Sequence, residues 1–156
     1  MTPDADSLIR SWRADHDWAA RHGITAHVTV RMPFLEPAEW REPALARLSS
    51  LLPIELTLAR LKERPGALVI LVEPDDELHR ITTSVGELWP ELPGHKADYA
   101  RPAYHITVVR TPDPEVRRAA FEEIAPKLPM QVTGSAFWVA HGSEESGLTY
   151  RVVAGS

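Results

Sequence analysis

The sequence predicts an α+β chain folded as two related lobes of a single domain, and three observations carry that prediction. Its 156 residues fit one domain, which at that size buries roughly 68–70% of its unfolded surface without cross-links. The apolar period switches repeatedly between 3.6 residues and two, the marks of helix and strand. The chain also repeats itself: His27-Val28-Thr29-Val30 recurs as His105-Ile106-Thr107-Val108, and Leu52-Pro53-Ile54-Glu55-Leu56-Thr57 as Leu128-Pro129-Met130-Gln131-Val132-Thr133. The Leu-Pro step begins 25 residues after His27 and 23 after His105. Two copies at nearly the same register predict a pseudo-twofold pair of lobes, about 24–74 and 102–154, behind an N-terminal helix of about 3–22.

Each element has a local cause. Thr2-Pro3 caps and opens the first helix, whose stripe of Leu8, Ile9, Trp12, Ala19 and Ala20 stops before Gly23. From Ile24, Ala26, Val28 and Val30 alternate with His27, Thr29 and Arg31, a half-buried strand closed by Pro33. Residues 38–52 return to helical spacing through Trp40, Leu45, Leu48 and Leu52. Ile54, Leu56 and Leu58 alternate as a strand, Glu63-Arg64-Pro65-Gly66 turns, and Ala67 to Val72 reads as a more deeply buried strand. Asp75 and Asp76 suit the cap of a helix through Leu78, Ile81, Val85 and Leu88, ended by Pro90, Pro93 and Gly94. The polar stretch to Arg101 is the expected linker between halves. Tyr104 to Val109 is a strand, Pro114-Glu115 opens a helix to Leu128, and terminal strands are expected at about 130–140 and 148–154, joined by the turn-rich 142–147.

Composition narrows the function. Hydrophobic residues at 44% and charged residues at 25% exclude a disordered chain. There is no cysteine, so disulfides, thiolate metal sites and cysteine nucleophiles are excluded. The acidic start Met1-Thr2-Pro3-Asp4-Ala5-Asp6 lacks a signal's apolar core, and no run approaches 18 apolar residues, so a cytoplasmic protein with no membrane partner is expected. The net charge is -5, with 10 basic and 13 acidic residues up to residue 84 and 7 and 9 after it. Neither half offers the basic face that grips long nucleic acid. A bound phosphate is expected in a local cleft, and the oligomeric state is left open.

Residues i and i+2 of a strand share a face. His27 and Thr29 therefore point one way and Val28 and Val30 the other; His105 and Thr107 do the same. A twofold relation brings two imidazoles and two hydroxyls together across a cleft. Two histidines suit acid–base chemistry near neutral pH, one taking a proton while the other gives one. Threonine hydroxyls can donate to the oxygens of a phosphate held between them. A lone His-x-Thr is weak evidence, more often an ordinary surface or core histidine; two copies inside a wider repeat read as metal-free phosphodiester cleavage.

These paired motifs, with Pro33-Phe34 after the first, resemble the 2H phosphoesterase superfamily, and in particular the bacterial 2′-5′ RNA ligase-like or cyclic phosphodiesterase proteins. The resemblance runs from about Leu8 to Val153. It implies a duplicated α+β fold in which two antiparallel sheets form a central cleft lined by the two motifs, with helices packed outside. It implies opening of cyclic 2′,3′-phosphodiesters, or cleavage or joining of 2′,5′-linked nucleotides, without metal or other cofactor. His27 and His105 would be the catalytic acid–base pair, with His105 as base and His27 as acid in ring opening. Thr29 and Thr107 would hold the phosphate, and Phe34 would stack on a base or else pack in the core. Arg31 is not part of the resemblance; by alternation it shares the His27 face, where it would either meet substrate phosphate or reach solvent at the strand end. The substrate would be a nucleotide or RNA end.

Two departures accompany the resemblance. Relatives begin with an apolar strand ahead of the first helix, so here one sheet is expected to be a strand short or to have its edge covered by a partner chain. Arg31 stands where an apolar residue is expected. Other motifs carry no chemistry. His16 and His22 fall on different helix faces, Glu73-Pro74-Asp75-Asp76-Glu77 lacks calcium-loop spacing, and His79, His95 and His141 lack a partnered threonine. Tyr104 faces away from His105 and is expected to pack. The alternative reading is a non-catalytic protein that captures a nucleotide or RNA end on the same fold.

Overall fold

The computed structural model describes residues 3–32, 42–90, 103–143 and 147–154. Trp40, the linker before Arg101 and the tip of the last turn lie outside these, as does Phe34. Helix α1 spans Pro3–His16 and α2 spans Trp18–Arg21. The single helix expected to about residue 22 is therefore broken at Asp17. That residue adopts extended backbone (φ -131, ψ 111) and its carboxylate accepts the Ala19 N–H, which caps a new turn. Gly23, at φ 84, supplies the left-handed exit from α2.

Residues 24–32 carry no strand assignment, a correction to the expected strand. The alternation is nevertheless present: Ala26 is buried, Val28 and Val30 pack against the core, and His27 and Thr29 are exposed. Side chains take the place of a ladder at two points. Asp6 Oδ1 accepts the Ala26 N–H at 3.0 Å, and Thr82 Oγ1 donates to the Val30 carbonyl at 3.1 Å, so backbone groups are satisfied by α1 and by the helix of residues 75–88.

Helix α3 (Glu42–Leu48) leads through a 3-10 turn, Ser49–Leu51, into β1 (Ile54–Arg64). Pro65 and Gly66 (φ 69) turn the chain into β2 (Ala67–Glu73). Helix α4 (Asp75–Leu88) follows, its first turn holding Asp75, Asp76 and Glu77 with Pro74 at the cap, so the aspartates lie inside the helix and complement its positive end. Then come β3 (His105–Arg110), α5 (Pro114–Ile124), a second 3-10 turn, Ala125–Lys127, and the strands β4 (Met130–Gly134), β5 (Phe137–Ser143) and β6 (Gly147–Ala154). The expected strand at 130–140 is thus two strands.

The four-stranded antiparallel sheet has the order β3-β2-β1-β4, and β5 and β6 form a separate hairpin. Both Leu-Pro steps, each cis, sit between a 3-10 turn and a strand. The strands after them pair with each other: Ile54 with Gly134, Leu56 with Val132, and Leu58 with Met130. Leu56 and Val132 occupy equivalent places in the two copies, so the register runs outward symmetrically from that pair. A local twofold between like elements requires this pattern. Gly134 is needed here, because a Cβ on it would lie 2.5 Å from Ile54 Cγ2.

One core joins the sheet to three helices. Ala5 and Ile9 of α1, Leu78 and Ile81 of α4, and Ala120 and Ile124 of α5 pack with Leu56, Leu58, Leu68, Ile70, Ile106 and Val108. Tyr104 is buried in it, as the alternation requires, with its hydroxyl 2.7 Å from Thr82 Oγ1. A smaller cluster, Leu48, Val85, Trp89 and Val139, ties α3 and α4 to β5. Among the described residues, no helix is long and apolar enough to cross a membrane.

Candidate functional site

The repeat recurs at the level of single atoms. His27 Nδ1 lies 3.0 Å from the Thr25 carbonyl oxygen, and His105 Nδ1 lies 2.9 Å from that of Ala103. In each case the partner is the carbonyl two residues upstream. A carbonyl can only accept, so Nδ1 carries the proton and Nε2 of the neutral ring keeps its lone pair. Both imidazoles thus present the same nitrogen for proton exchange. The Ala103 carbonyl also accepts from Arg64 Nη2 at 3.3 Å, bracing the loop that orients His105.

Both rings are held below the usual histidine pKa. For His27, part of whose side chain reaches solvent, the protein packed around the ring still makes desolvation the chief cause; the charges of Arg13 and Arg110 add to it, against the Thr25 contact and Asp17. For His105, desolvation again leads, aided by Arg64 and Arg110 and opposed by the Ala103 contact. Arg110 is therefore common to both: it stands close enough for its charge to act on each imidazole. Its Nη2 donates to Thr107 Oγ1 at 3.4 Å, and its Nε lies 3.6 Å from Asp17 Oδ1.

Sequence reasoning missed Arg110. It stands five residues after His105, on the opposite face if alternation is unbroken. The strand is not regular, however. Val69 pairs with Thr107 and Leu68 with Val109, so one step on β2 answers two on β3. This β-bulge turns both Val108 and Val109 inward and returns Arg110 to the face of His105 and Thr107. The signal available in the sequence was the doubled Val108-Val109. Arg31, four residues after His27, is half-buried with Nε shielded from solvent. Thr29 is exposed beside His27.

Three further histidines are described. His16 stacks on Trp12 and His22 meets the edge of Trp18, while His79 is half-buried. Among the described residues, no three His, Asp or Glu side chains gather as a metal site.

The depressed histidines make a stability prediction. Unfolded imidazole titrates near 6.5, and both folded values lie lower. Well above pH 6.5 neither state is protonated and the contribution is whole. Below it the unfolded chain binds more protons than the folded one, so stability falls as pH drops from 6.5 toward the folded values. Urea midpoints measured at about pH 7.5 and about pH 5.5 should therefore drop more for the parent than for His27→Gln/His105→Gln. Equal drops would count against it.

A model of the 2′-5′ RNA ligase superfamily matches residues 2–144. The chain belongs to this superfamily of 2H phosphoesterases. Among solved structures, TT0787 of Thermus thermophilus is similar in fold, with a TM-score of 0.54 at 17% identity over 82% of this chain and 75% of that one. No curated protein matches the chain. The superfamily's members are phosphoesterase-type enzymes, and the α+β architecture, an antiparallel sheet with helices against it, is consistent with the superfamily fold.

Proposed function

We propose that this superfamily member is a metal-independent phosphoesterase that opens cyclic 2′,3′-phosphodiesters, or cleaves or joins 2′,5′-linked nucleotides, with His27 and His105 as its acid–base pair. One observation carries the reading: two imidazoles from the two copies, each with Nδ1 tied to the carbonyl two residues upstream, answer to the same guanidinium, Arg110. Thr29 and Thr107 are the phosphate ligands, and Arg110 neutralises charge on the phosphoryl oxygens. Arg31 and Phe34 are assigned to substrate binding. The symmetric β1–β4 register, in which one strand of each copy meets its counterpart in the same sheet, supports the duplication; the two-lobe fold with two sheets lining the cleft is part of the proposal. The site is read as serving a nucleotide or RNA end in the cytoplasm.

In ring opening, His105 Nε2 takes a proton from water as the water oxygen bonds to phosphorus. The bond from phosphorus to one ribose oxygen breaks, and protonated His27 gives that oxygen its proton. The two rings finish with their protonation exchanged. Since both rings are neutral at rest, the acid form is scarce at neutral pH. The profile of kcat/KM should then be bell-shaped with its centre below about 6.5, reporting macroscopic values of the pair.

A panel of 2′,3′-cyclic nucleotides and 2′,5′-linked dinucleotides tests the reading, with product identification and with EDTA present. Turnover insensitive to EDTA, with the acid-centred bell, is the expected result. Tight binding of 2′,5′-linked nucleotide with no product after long incubation favours the binding protein instead, and turnover abolished by chelation removes the metal-free mechanism.

A further inference from the structure

We propose that Asp17, backed by Arg13, is a positioning residue that anchors the Arg110 guanidinium at the phosphate end of the cleft. The inference rests on the reading above for what Arg110 does, and it concerns two residues outside the motifs that perform the chemistry.

The geometry is specific. Side chains of Arg13 and Asp17 are each 2% exposed. Asp17 divides its oxygens: Oδ2 accepts from Arg13 Nε at 3.0 Å and Nη2 at 2.9 Å, while Oδ1 accepts the Ala19 N–H at 3.2 Å and faces Arg110 Nε at 3.6 Å. Arg110 itself is 56% exposed and crosses from β3 to the α1–α2 junction. A half-exposed arginine ordinarily keeps its rotamers and loses them on meeting a ligand. Here one edge of the guanidinium group faces a buried carboxylate and a terminal nitrogen leans on Thr107, so its position is set before substrate arrives.

A buried ion pair is a poor device for stability alone, since apolar residues of like volume often serve as well. Capping the Ala19 N–H at the start of α2 needs only a neutral acceptor oxygen, so it does not call for a charged group here. What the carboxylate adds is a second oxygen that faces Arg110. The charged groups acting on His27 are the same three, Arg13, Asp17 and Arg110, which places the anchor beside one of the two reacting imidazoles.

The test uses inorganic phosphate as the probe, on the full chain, read from the shifts of the His27 and His105 ring resonances. Four proteins are compared: the parent, the neutral pair Arg13→Gln/Asp17→Asn, Arg110→Ala, and all three substitutions together. The neutral pair keeps the shape of the ion pair and leaves an oxygen for the Ala19 N–H. It should weaken phosphate about 5- to 10-fold when Arg110 is present and less than about twofold when Arg110 is absent, the mark of a residue acting through another. Asp17→Asn alone supplies a second measurement with the same expectation should the pair variant not fold. Equal losses in both backgrounds, no loss in the first, or a parent that binds no phosphate would overturn the inference. Turnover of cyclic nucleotides without this coupling removes the anchor and leaves the proposed function. Coupling without turnover does the reverse.

Discussion

His27→Ala and His105→Ala should each lower kcat/KM on a 2′,3′-cyclic nucleotide by about 10²–10⁴-fold, the range for a lost general acid or base. The double variant should be far less impaired than the product of the two losses, because each imidazole works only while the other exchanges a proton with the same phosphodiester. Folding should survive. His27 is exposed and His105 half-buried, and the contact that orients each ring is made to the carbonyl two residues upstream, which either substitution leaves in place. Thr29→Val and Thr107→Val should cost less, about 1–3 kcal/mol, since each loses one hydrogen bond to a charged group. A His105→Ala protein as active as its parent would show that the repeated motif does not carry the chemistry. Far-ultraviolet circular dichroism and a thermal melt of each variant separate lost chemistry from lost fold.

Arg13→Met should destabilise the chain by about 3–5 kcal/mol, the largest effect on stability expected here. The substitution leaves Asp17 Oδ2 without both guanidinium donors at a place that is 2% exposed. Arg110 does not replace them, because its Nε stands at 3.6 Å from the other oxygen and its side chain is half in solvent. Arg13→Met/Asp17→Leu should recover most of the loss, since two packed apolar side chains carry no desolvated charge. Urea titrations of parent, single and double variants, extrapolated at constant slope, decide it. A single variant within about 1 kcal/mol of the parent would mean that water reaches the carboxylate.

Most of the architecture was legible because its causes are local. The alternation in Ile54–Leu58, the Pro65-Gly66 turn and the amphipathic stripes of α4 and α5 each follow from a few neighbouring side chains and appear where expected. The misreadings fall where a distant group intervenes. The first helix breaks because Asp17 is drawn to Arg13 and caps a second turn. The stretch at 24–32 keeps its alternation without a strand assignment, with Asp6 and Thr82 taking up two of its backbone groups. The expected strand at 130–140 divides because β4 joins β1 while β5 pairs with β6.

The sequence by itself determined the repeat, the His-x-Thr pairs, the exposure of His27 and Thr29 against the burial of Ala26, and the superfamily, since all of these depend on residue identity and short-range periodicity. The tertiary structure alone decided that Arg110 joins the site and that Asp17 reaches it. A bulge changes which face a residue occupies by adding one unpaired position to the ladder, and its presence is settled by pairing with another strand. An ion pair between Arg110 and Asp17 spans 93 residues, a separation that no local pattern reports and that folding closes.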